Sequence, residues 1–185
     1  MKGLLRAAAW LAVASMLSAC GPSVAEVARA LPETLDVPPS PLAPDRGLRT
    51  RPGSSPQRVA SVRMTERARR LLRSGNYARA LTELEKSLST DGSNPYAHYY
   101  IAVAHHRLGN FRASLDFLEV AEPILGHNLP WLVQTLVLRG DNLRALGRFG
   151  PAEAAYRRAL SMDPANPSAN RGLSWARQRS KAKSW

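Results

Sequence analysis

The chain lacks most of the features that mark an enzyme or a disulfide-stabilised protein. It contains a single cysteine, Cys20, so no disulfide can form within the chain. It carries no Gly-x-Ser-x-Gly, P-loop or His-Glu-x-x-His motif, and its acidic residues are dispersed without a catalytic pair. These absences predict that the protein is not an enzyme and has no cofactor and no small-molecule substrate.

Acidic residues are also scarce relative to basic ones. Lysine and arginine number 26 against 14 acidic residues, which gives a formal net charge of +12. Loss of residues 1–19 would remove Lys2 and Arg6 but no acid, and would leave +10. Such a charge favours anionic lipid headgroups or cell-wall polymer, especially around the basic tail at 181–185. The alternative is that the basic tail is only soluble and binds neither of these partners.

No apolar run is long enough for a comfortable membrane span. The apolar stretch at 7–17 is interrupted only by Ser15 and is shorter than the roughly 20 residues that a span needs. Lys2 and Arg6 precede it, as in the positive start of a secretory signal. The next residues, Leu17-Ser18-Ala19-Cys20, resemble the bacterial lipobox. That resemblance implies a lipoprotein signal peptide at 1–19 and acylation of Cys20, with palmitate among the expected acyl chains.

An acylated Cys20 would anchor the mature chain to a membrane, because several acyl chains together hold stably. Gly21 follows, and not the aspartate that typically retains lipoproteins in the inner membrane of Gram-negative bacteria. The expected location is therefore the cell envelope, on the periplasmic face of the outer membrane if the source is Gram-negative. A plain signal peptide that happens to contain a cysteine is the alternative.

Proline is concentrated before the repeats. Eight of the 14 prolines lie between Pro22 and Pro56, and the run at 38–44 favours extended polyproline conformers. Residues 20–60 are therefore predicted to be a disordered, flexible linker that follows the lipidated cysteine. A linear motif that binds a partner is the alternative interpretation of this segment.

The remaining sequence contains three near-copies of one motif. Gly75, Gly109 and Gly147 are each followed by a polar residue and an aromatic residue, and they lie 34 and 38 residues apart. A period of about 34 residues is typical of helical repeat arrays. Apolar residues at helical spacing predict helix pairs over about 61–94, 95–128 and 133–166. The polar stretch at 167–180 predicts a capping helix that shields the last apolar face.

These motifs resemble the tetratricopeptide repeat family. The third unit matches best, with family residues at Gly147, Phe149, Ala152, Tyr156, Ala159 and Asp163-Pro164. Departures occur at Ser87 and Gly92 in the first unit and at Ser114 in the second. The resemblance implies an all-α fold over 61–180, a right-handed α-solenoid of three helix-turn-helix repeats plus a C-terminal capping helix.

The resemblance also implies a concave groove, lined by the first helix of each repeat, that holds an extended peptide or a partner helix. The family's groove positions fall here on Thr65, Arg69, Arg73, Tyr96, Tyr99, His106, Gln134, Asp141 and Arg144, with Arg171 added from the cap. Arginines around tyrosines suit carboxylates on a peptide. A solvated helix face is the alternative for the arginines, and the family's lysine and asparagine clamp for a terminal carboxylate is not found.

Four histidines remain to be considered as metal ligands. They are His98, His105, His106 and His127, and His98 and His105 could share a helix face. No third ligand with metal spacing accompanies them, so packed or surface histidines are predicted and no metal site.

Together these features predict a membrane-anchored periplasmic scaffold whose groove binds another envelope protein. Tetratricopeptide lipoproteins of this layout often serve type IV or tight-adherence pilus assembly and secretin biogenesis, which is analogy at the level of the fold. Nucleic acid is not expected as a partner of an exported, lipidated protein. One alternative is a basic envelope lipoprotein that binds peptidoglycan or anionic lipid by diffuse charge. Another is a regulatory subunit of an envelope enzyme.

Overall fold

A computed structural model of the chain describes residues 50 and 53–182. The predicted signal peptide, Cys20 and most of the predicted linker lie outside the described residues, as do residues 183–185. The described part contains seven helices: α1 (Pro56–Arg73), α2 (Tyr77–Thr90), α3 (Pro95–Arg107), α4 (Phe111–Leu125), α5 (Leu129–Ala145), α6 (Phe149–Met162) and α7 (Pro167–Ala182). None of these helices is both long and apolar enough to cross a bilayer.

The first helix begins earlier than the sequence analysis predicted. Helix α1 begins at Pro56, five residues before the predicted start at 61. Ser55 caps it, because its side-chain oxygen accepts a hydrogen bond of 3.3 Å from the backbone N–H of Arg58. Pro56 suits the first turn, where its missing N–H would have no intrahelical partner.

The repeated glycines end the first helix of each pair. Gly75, Gly109 and Gly147 have φ values of 76°, 79° and 71°. Glycine adopts this left-handed conformation without a steric penalty from Cβ. After the first of them, the backbone N–H of Asn76 donates to the carbonyl of Leu71 at 2.9 Å, which satisfies a carbonyl of the last helical turn. The motif therefore encodes the same tight turn three times.

The connection between the second and third pairs is shorter than predicted. The predicted pairs are separated by residues 129–132, but those residues belong to α5. Pro123 lies inside α4. Because it falls in the last turn, it removes a single intrahelical hydrogen bond near a helix end. Helix α5 begins at Leu129, with Pro130 in its first turn. The extra residues therefore lengthen α4 and α5 to 15 and 17 residues.

Small residues bring the two helices of each pair together, and the pairs then stack. Ala68, Ala80, Ala102 and Ala152 are fully buried, which permits close backbone approach. The first helices, α1, α3, α5 and α7, pack on one another in sequence, whereas α2, α4 and α6 do not pack on one another to the same extent. The first helices thus form the inner layer of the stack. This arrangement confirms the predicted all-α solenoid of three helix pairs plus a capping helix.

Candidate functional site

The inner layer presents an aromatic cluster at its centre. We define this cluster as Tyr96, Tyr99, Tyr100 and Trp131, and we call the surface of α1, α3, α5 and α7 that carries it the groove face. The ring centroid of Trp131 lies 5.0 Å from that of Tyr96, 5.3 Å from Tyr99 and 5.9 Å from Tyr100. Trp131 and Tyr99 are buried, while Tyr96 and Tyr100 are partly exposed. The tilted and edge-on geometry is the one that aromatic pairs prefer.

Arginines flank this cluster on the side of α1. Burial raises the pKa of Tyr100 to about 12, and the positive charge of Arg69 acts against that shift, so the phenol is neutral at pH 7 and can donate a hydrogen bond. The Arg69 Nε lies 3.6 Å from a carboxylate oxygen of Glu66 and has no hydrogen-bond partner among the described residues. Arg73, one turn further along α1, is exposed. This end of the groove face therefore carries positive charge from Arg69 and Arg73.

A second cluster, Arg144, Trp175 and Arg179, lies at the other end of the groove face. We call it the cap cluster, because Trp175 and Arg179 belong to α7. The guanidinium carbons of Arg144 and Arg179 lie 5.0 and 5.2 Å from the centroid of the Trp175 ring, within the range of a cation–π interaction. Phe149 packs edge-on against the same ring. Two guanidinium groups around one indole make this end basic as well.

Two predicted groove residues on α5 are buried. Asp141 is 8% exposed and accepts a hydrogen bond of 2.7 Å from the hydroxyl of Tyr156. Burial and the neighbouring carboxylate raise the pKa of Tyr156, so the hydroxyl stays protonated and serves as the donor. Asp141 also lies 3.5 Å from Arg144. Gln134 is buried too, and neither side chain presents much surface to a partner.

Thr65 was predicted to line the groove, but the structure buries it completely. Its hydroxyl lies 3.1 Å from the side-chain amide nitrogen of Asn94 and 2.9 Å from the hydroxyl of Ser87. The same amide donates to the hydroxyl of Ser61 at 2.7 Å. Buried hydroxyls need such partners, because an unpaired one costs free energy. Thr65 therefore joins α1, α2 and α3 in the interior and does not form part of the groove surface.

Replacement of Asn94 by alanine is expected to lower the free energy of unfolding by about 2 kcal/mol. Asn94 caps α3 by accepting hydrogen bonds from the backbone N–H groups of Tyr96 and Ala97, and it also satisfies the buried hydroxyls. Urea unfolding followed by circular dichroism measures the loss. Asn128→Ala is the matched control, because Asn128 precedes α5, is exposed and makes no side-chain cap bond. Equal losses in the two variants would contradict this account of the Asn94 network.

His106 was also predicted for the groove surface and is also interior. It is 5% exposed, its ring packs edge-on against Phe111, and its Nδ1 lies 2.7 Å from the side-chain oxygen of Asn142. The amide nitrogen of Asn142 in turn donates to the hydroxyl of Ser114 at 2.7 Å. Burial lowers the pKa of His106, so the ring is neutral at pH 7. His106 therefore links the second and third helix pairs.

The remaining predicted residues are at or near the groove face. Arg69, Tyr96 and Arg144 are partly exposed, Tyr99 is mostly covered by Trp131 and Tyr100, and Arg73 and Arg171 are exposed. Arg171 donates to the hydroxyl of Ser168 at 3.4 Å and lies on α7. The structure groups Tyr96 with Tyr99 around Trp131, and Asp141 with Arg144.

Four residues of these clusters were not predicted from the sequence: Tyr100, Trp131, Trp175 and Arg179. Tyr100 and Trp131 fall outside the family positions that were carried over. Trp131 also precedes the third predicted repeat, which begins at 133. Trp175 and Arg179 belong to a helix that was treated mainly as a shield. Residue type could have marked all four as interface candidates, because tryptophan, tyrosine and arginine dominate the energetics of interfaces.

The other histidines form an aromatic contact. His105 stacks on Phe117 with ring centroids 5.6 Å apart, and His98 lies 6.2 Å from the same ring. Among the residues that the structure describes, no three His, Cys, Asp or Glu side chains are grouped so that they could hold a metal ion.

Two family models match the chain, and both are described as tetratricopeptide repeat. One covers residues 65–127 and the other covers 133–166, which together is more than half of the chain. No curated protein matches the sequence.

Solved structures of repeat domains share the fold. The Arabidopsis OM64 TPR domain aligns with a TM-score of 0.61 and 23% identity, covering 66% of this chain and 98% of that domain. The second TPR domain of human RPAP3, in complex with an HSP70 peptide, gives 0.58 and 19%, covering 65% and 98%. A TPR-like protein from Chlorobium tepidum gives 0.56 and 17%, covering 70% and 97%. At these identities the likeness concerns the fold alone.

Proposed function

Because the chain belongs to the tetratricopeptide repeat family, we propose that it is a scaffold that binds a segment of another protein along its groove face. The observation that carries this proposal is the aromatic cluster, in which Tyr96 and Tyr100 remain partly exposed over the buried Trp131. Partly exposed tyrosines on a rigid base offer a large contact area at a low cost in conformational entropy. The RPAP3 domain that shares this fold was solved with a bound HSP70 peptide, which supports a peptide as the occupant.

The charges on the groove face favour an acidic partner. The arginines are Arg69, Arg73, Arg144, Arg171 and Arg179, whereas the acids in ion pairs with them are Glu66 and Asp141. Guanidinium groups bind carboxylates in a planar, two-point geometry. The partner segment is therefore proposed to carry an apolar or aromatic residue at its centre and carboxylates on either side. The protein is proposed to act by binding alone, without catalysis, cofactor, nucleic acid or small-molecule substrate.

The scaffold is proposed to be a lipoprotein of the cell envelope. The support is the sequence Leu17-Ser18-Ala19-Cys20 after a short apolar run, and the membrane is reached through the acylated Cys20. In a Gram-negative source the location is the periplasmic face of the outer membrane. The partner is then an envelope protein, and assembly of a type IV or tight-adherence pilus, or of a secretin-like machine, is the proposed process.

Replacement of Cys20 by serine is expected to abolish acylation, because serine lacks the nucleophilic sulfur. Cells fed labelled palmitate should label the wild-type chain and leave Cys20→Ser unlabelled. The wild-type protein should sediment with membranes and should be released into detergent. Labelling that persists in the variant would contradict the lipid anchor. It would not affect the groove proposal, which is tested separately.

A paired substitution on the groove face should weaken partner binding by at least about tenfold, since the affected side chains are hot-spot types. We choose Tyr96→Ala with Arg171→Glu, because both residues have exposed surface and lie on different helices, α3 and α7. The measurement is capture of the membrane-anchored protein after cross-linking in cells, followed by titration of the recovered partner with each variant.

The matched control for that pair is Leu108→Ala with Arg112→Glu, which makes the same kinds of change at two exposed positions that lie on none of the first helices. The control should keep the partner. Recovery of the same protein with both pairs would contradict the groove proposal. Recovery of only lipid or cell-wall fragments, lost at moderate salt, would favour binding by diffuse charge, which is screened within about 10 Å at 0.1 M salt.

A further inference from the structure

A second groove of about 580 Å³ lies between α1 and α2, away from the aromatic cluster. We call it the outer basic groove. Its lining residues are Arg67, Arg70, Leu71 and Ser74 from α1, and Arg79, Thr82, Glu83 and Lys86 from α2. It therefore belongs entirely to the first helix pair, and it plays no part in the function proposed above.

The groove has four basic side chains and one acid. The Glu83 carboxylate pairs with Arg67 at 3.1 Å and with Lys86 at 3.2 Å. These hydrogen bonds, chiefly the one from Lys86, lower the pKa of Glu83. Its charge is therefore already matched within the groove. Arg70 and Arg79 are exposed and form no ion pair with any residue of the described part of the chain. These two guanidinium groups are available to an external anion.

The stripe of positive charge extends along α1. Arg63, Arg67 and Arg70 are spaced four and three residues apart, so they lie on one side of the helix. All three are exposed. The basic surface is thus longer than the groove itself, which suits an extended array of anions more than a single small ion.

The chemistry of the lining selects among anionic partners. Guanidinium groups bind phosphate oxygens in a planar, two-point geometry. No aromatic side chain lines the groove, although protein hot spots and single-stranded nucleic acid sites both rely on aromatic rings. Leu71 is its one large apolar lining residue. Exposed cations without aromatic anchors are typical of surfaces that lie against phospholipid headgroups.

We propose that the outer basic groove binds the phosphate groups of an anionic phospholipid surface and turns the first helix pair toward the membrane. Pro56, where α1 begins, is 36 residues after Cys20, so the first pair is the part of the solenoid nearest in sequence to the proposed lipid anchor. A basic surface combined with an acyl anchor is a two-signal membrane attachment. The cap cluster, at the opposite end of the solenoid, then lies away from the bilayer.

The test is flotation of the chain from residue 20 with Cys20→Ser, which retains every described residue and removes the site of acylation. This protein is expected to float with vesicles containing phosphatidylglycerol and not with vesicles of phosphatidylcholine alone. Arg70→Glu with Arg79→Glu should weaken the binding by about tenfold or more. Arg70→Gln with Arg79→Gln should weaken it by a smaller factor, and circular dichroism should show both variants folded.

The matched control is Arg112→Glu with Arg148→Glu, which changes the net charge by the same amount at two exposed positions outside the groove. It should alter vesicle binding by less than about twofold. An equal loss with both pairs would show diffuse charge and overturn the proposal, as would an absence of vesicle binding. Inorganic phosphate at constant ionic strength should compete weakly, and full release by it would show an isolated phosphate site instead of a membrane surface. None of these results depends on the groove face or on Cys20.

Discussion

Gly172→Ala is expected to lower the free energy of unfolding by about 3 kcal/mol, although alanine is the better helix former. A Cβ at this position would lie 2.3 Å from the Tyr156 ring carbon that bears the hydroxyl. Gly140 lies against the same ring, where a Cβ would be 2.5 Å from the nearest ring carbon. Tyr156 is fully buried, so the ring has no space into which it can retreat. Urea unfolding of the variant measures the loss.

Gly150→Ala is the matched control for this prediction. Gly150 also lies in a helix, α6, but a Cβ there would meet no atom within 4 Å other than those of its chain neighbours. Helix propensity favours the alanine, whereas Pro151 disfavours a helical residue with a Cβ just before it, so Gly150→Ala should change the free energy of unfolding by less than about 1 kcal/mol. The cost of Gly172→Ala should shrink when Tyr156 is leucine, since the two sites would be coupled through the ring. A cost that is unchanged in that background would rule out the ring as the cause.

Trp131→Ala should lower the free energy of unfolding by about 4 kcal/mol, the range expected when a buried tryptophan is truncated. Trp131 is 5% exposed, and three tyrosine rings pack against it. Removal of the indole leaves a cavity between α3 and α5 and takes away the support of Tyr96 and Tyr100. The variant should therefore lose both stability and partner binding. Thermal unfolding and partner titration below the melting temperature measure the two effects.

Trp131→Phe separates the aromatic contact from the volume of the indole. A phenyl ring keeps an edge for the tyrosines and leaves a smaller cavity, so the loss should be about 2 kcal/mol. Trp175→Ala is a useful comparison, because Trp175 is only partly buried and should cost less stability than Trp131. A Trp131→Ala protein as stable as the wild type would contradict the role of the aromatic cluster in joining α3 to α5.

The turns and the order of helices could be predicted from the sequence because they depend on local chemistry. Gly75, Gly109 and Gly147 each need a left-handed conformation that glycine adopts readily. Helix ends were less predictable. Ser55 moved the start of α1 to Pro56, and Pro123 was absorbed into the last turn of α4, since a proline near a helix end costs little when the neighbouring carbonyls are exposed.

The groove face was harder to predict, because spacing along one helix does not show what the next helix covers. Thr65 and His106 have the spacing of inner-face residues, yet Asn94 and Asn142 hydrogen bond to them from neighbouring pairs. Trp131 and Trp175 lie in parts of the sequence that the repeat pattern did not single out. Their positions depend on contacts with residues of other helices that lie 26 to 35 positions away in the chain.

By itself the sequence determined the repeat, its turns and the excess of positive charge, since each follows from residue types at short range. The tertiary structure alone decided which inner-face side chains remain available. It covered Thr65 and His106, gathered the tyrosines around Trp131, and left Arg70 and Arg79 without an ion pair among the described residues, beside a Glu83 that pairs with Arg67 and Lys86. The physical reason is that burial and pairing depend on the side chains of neighbouring helices, and helical periodicity places a residue on a face without showing what packs against it.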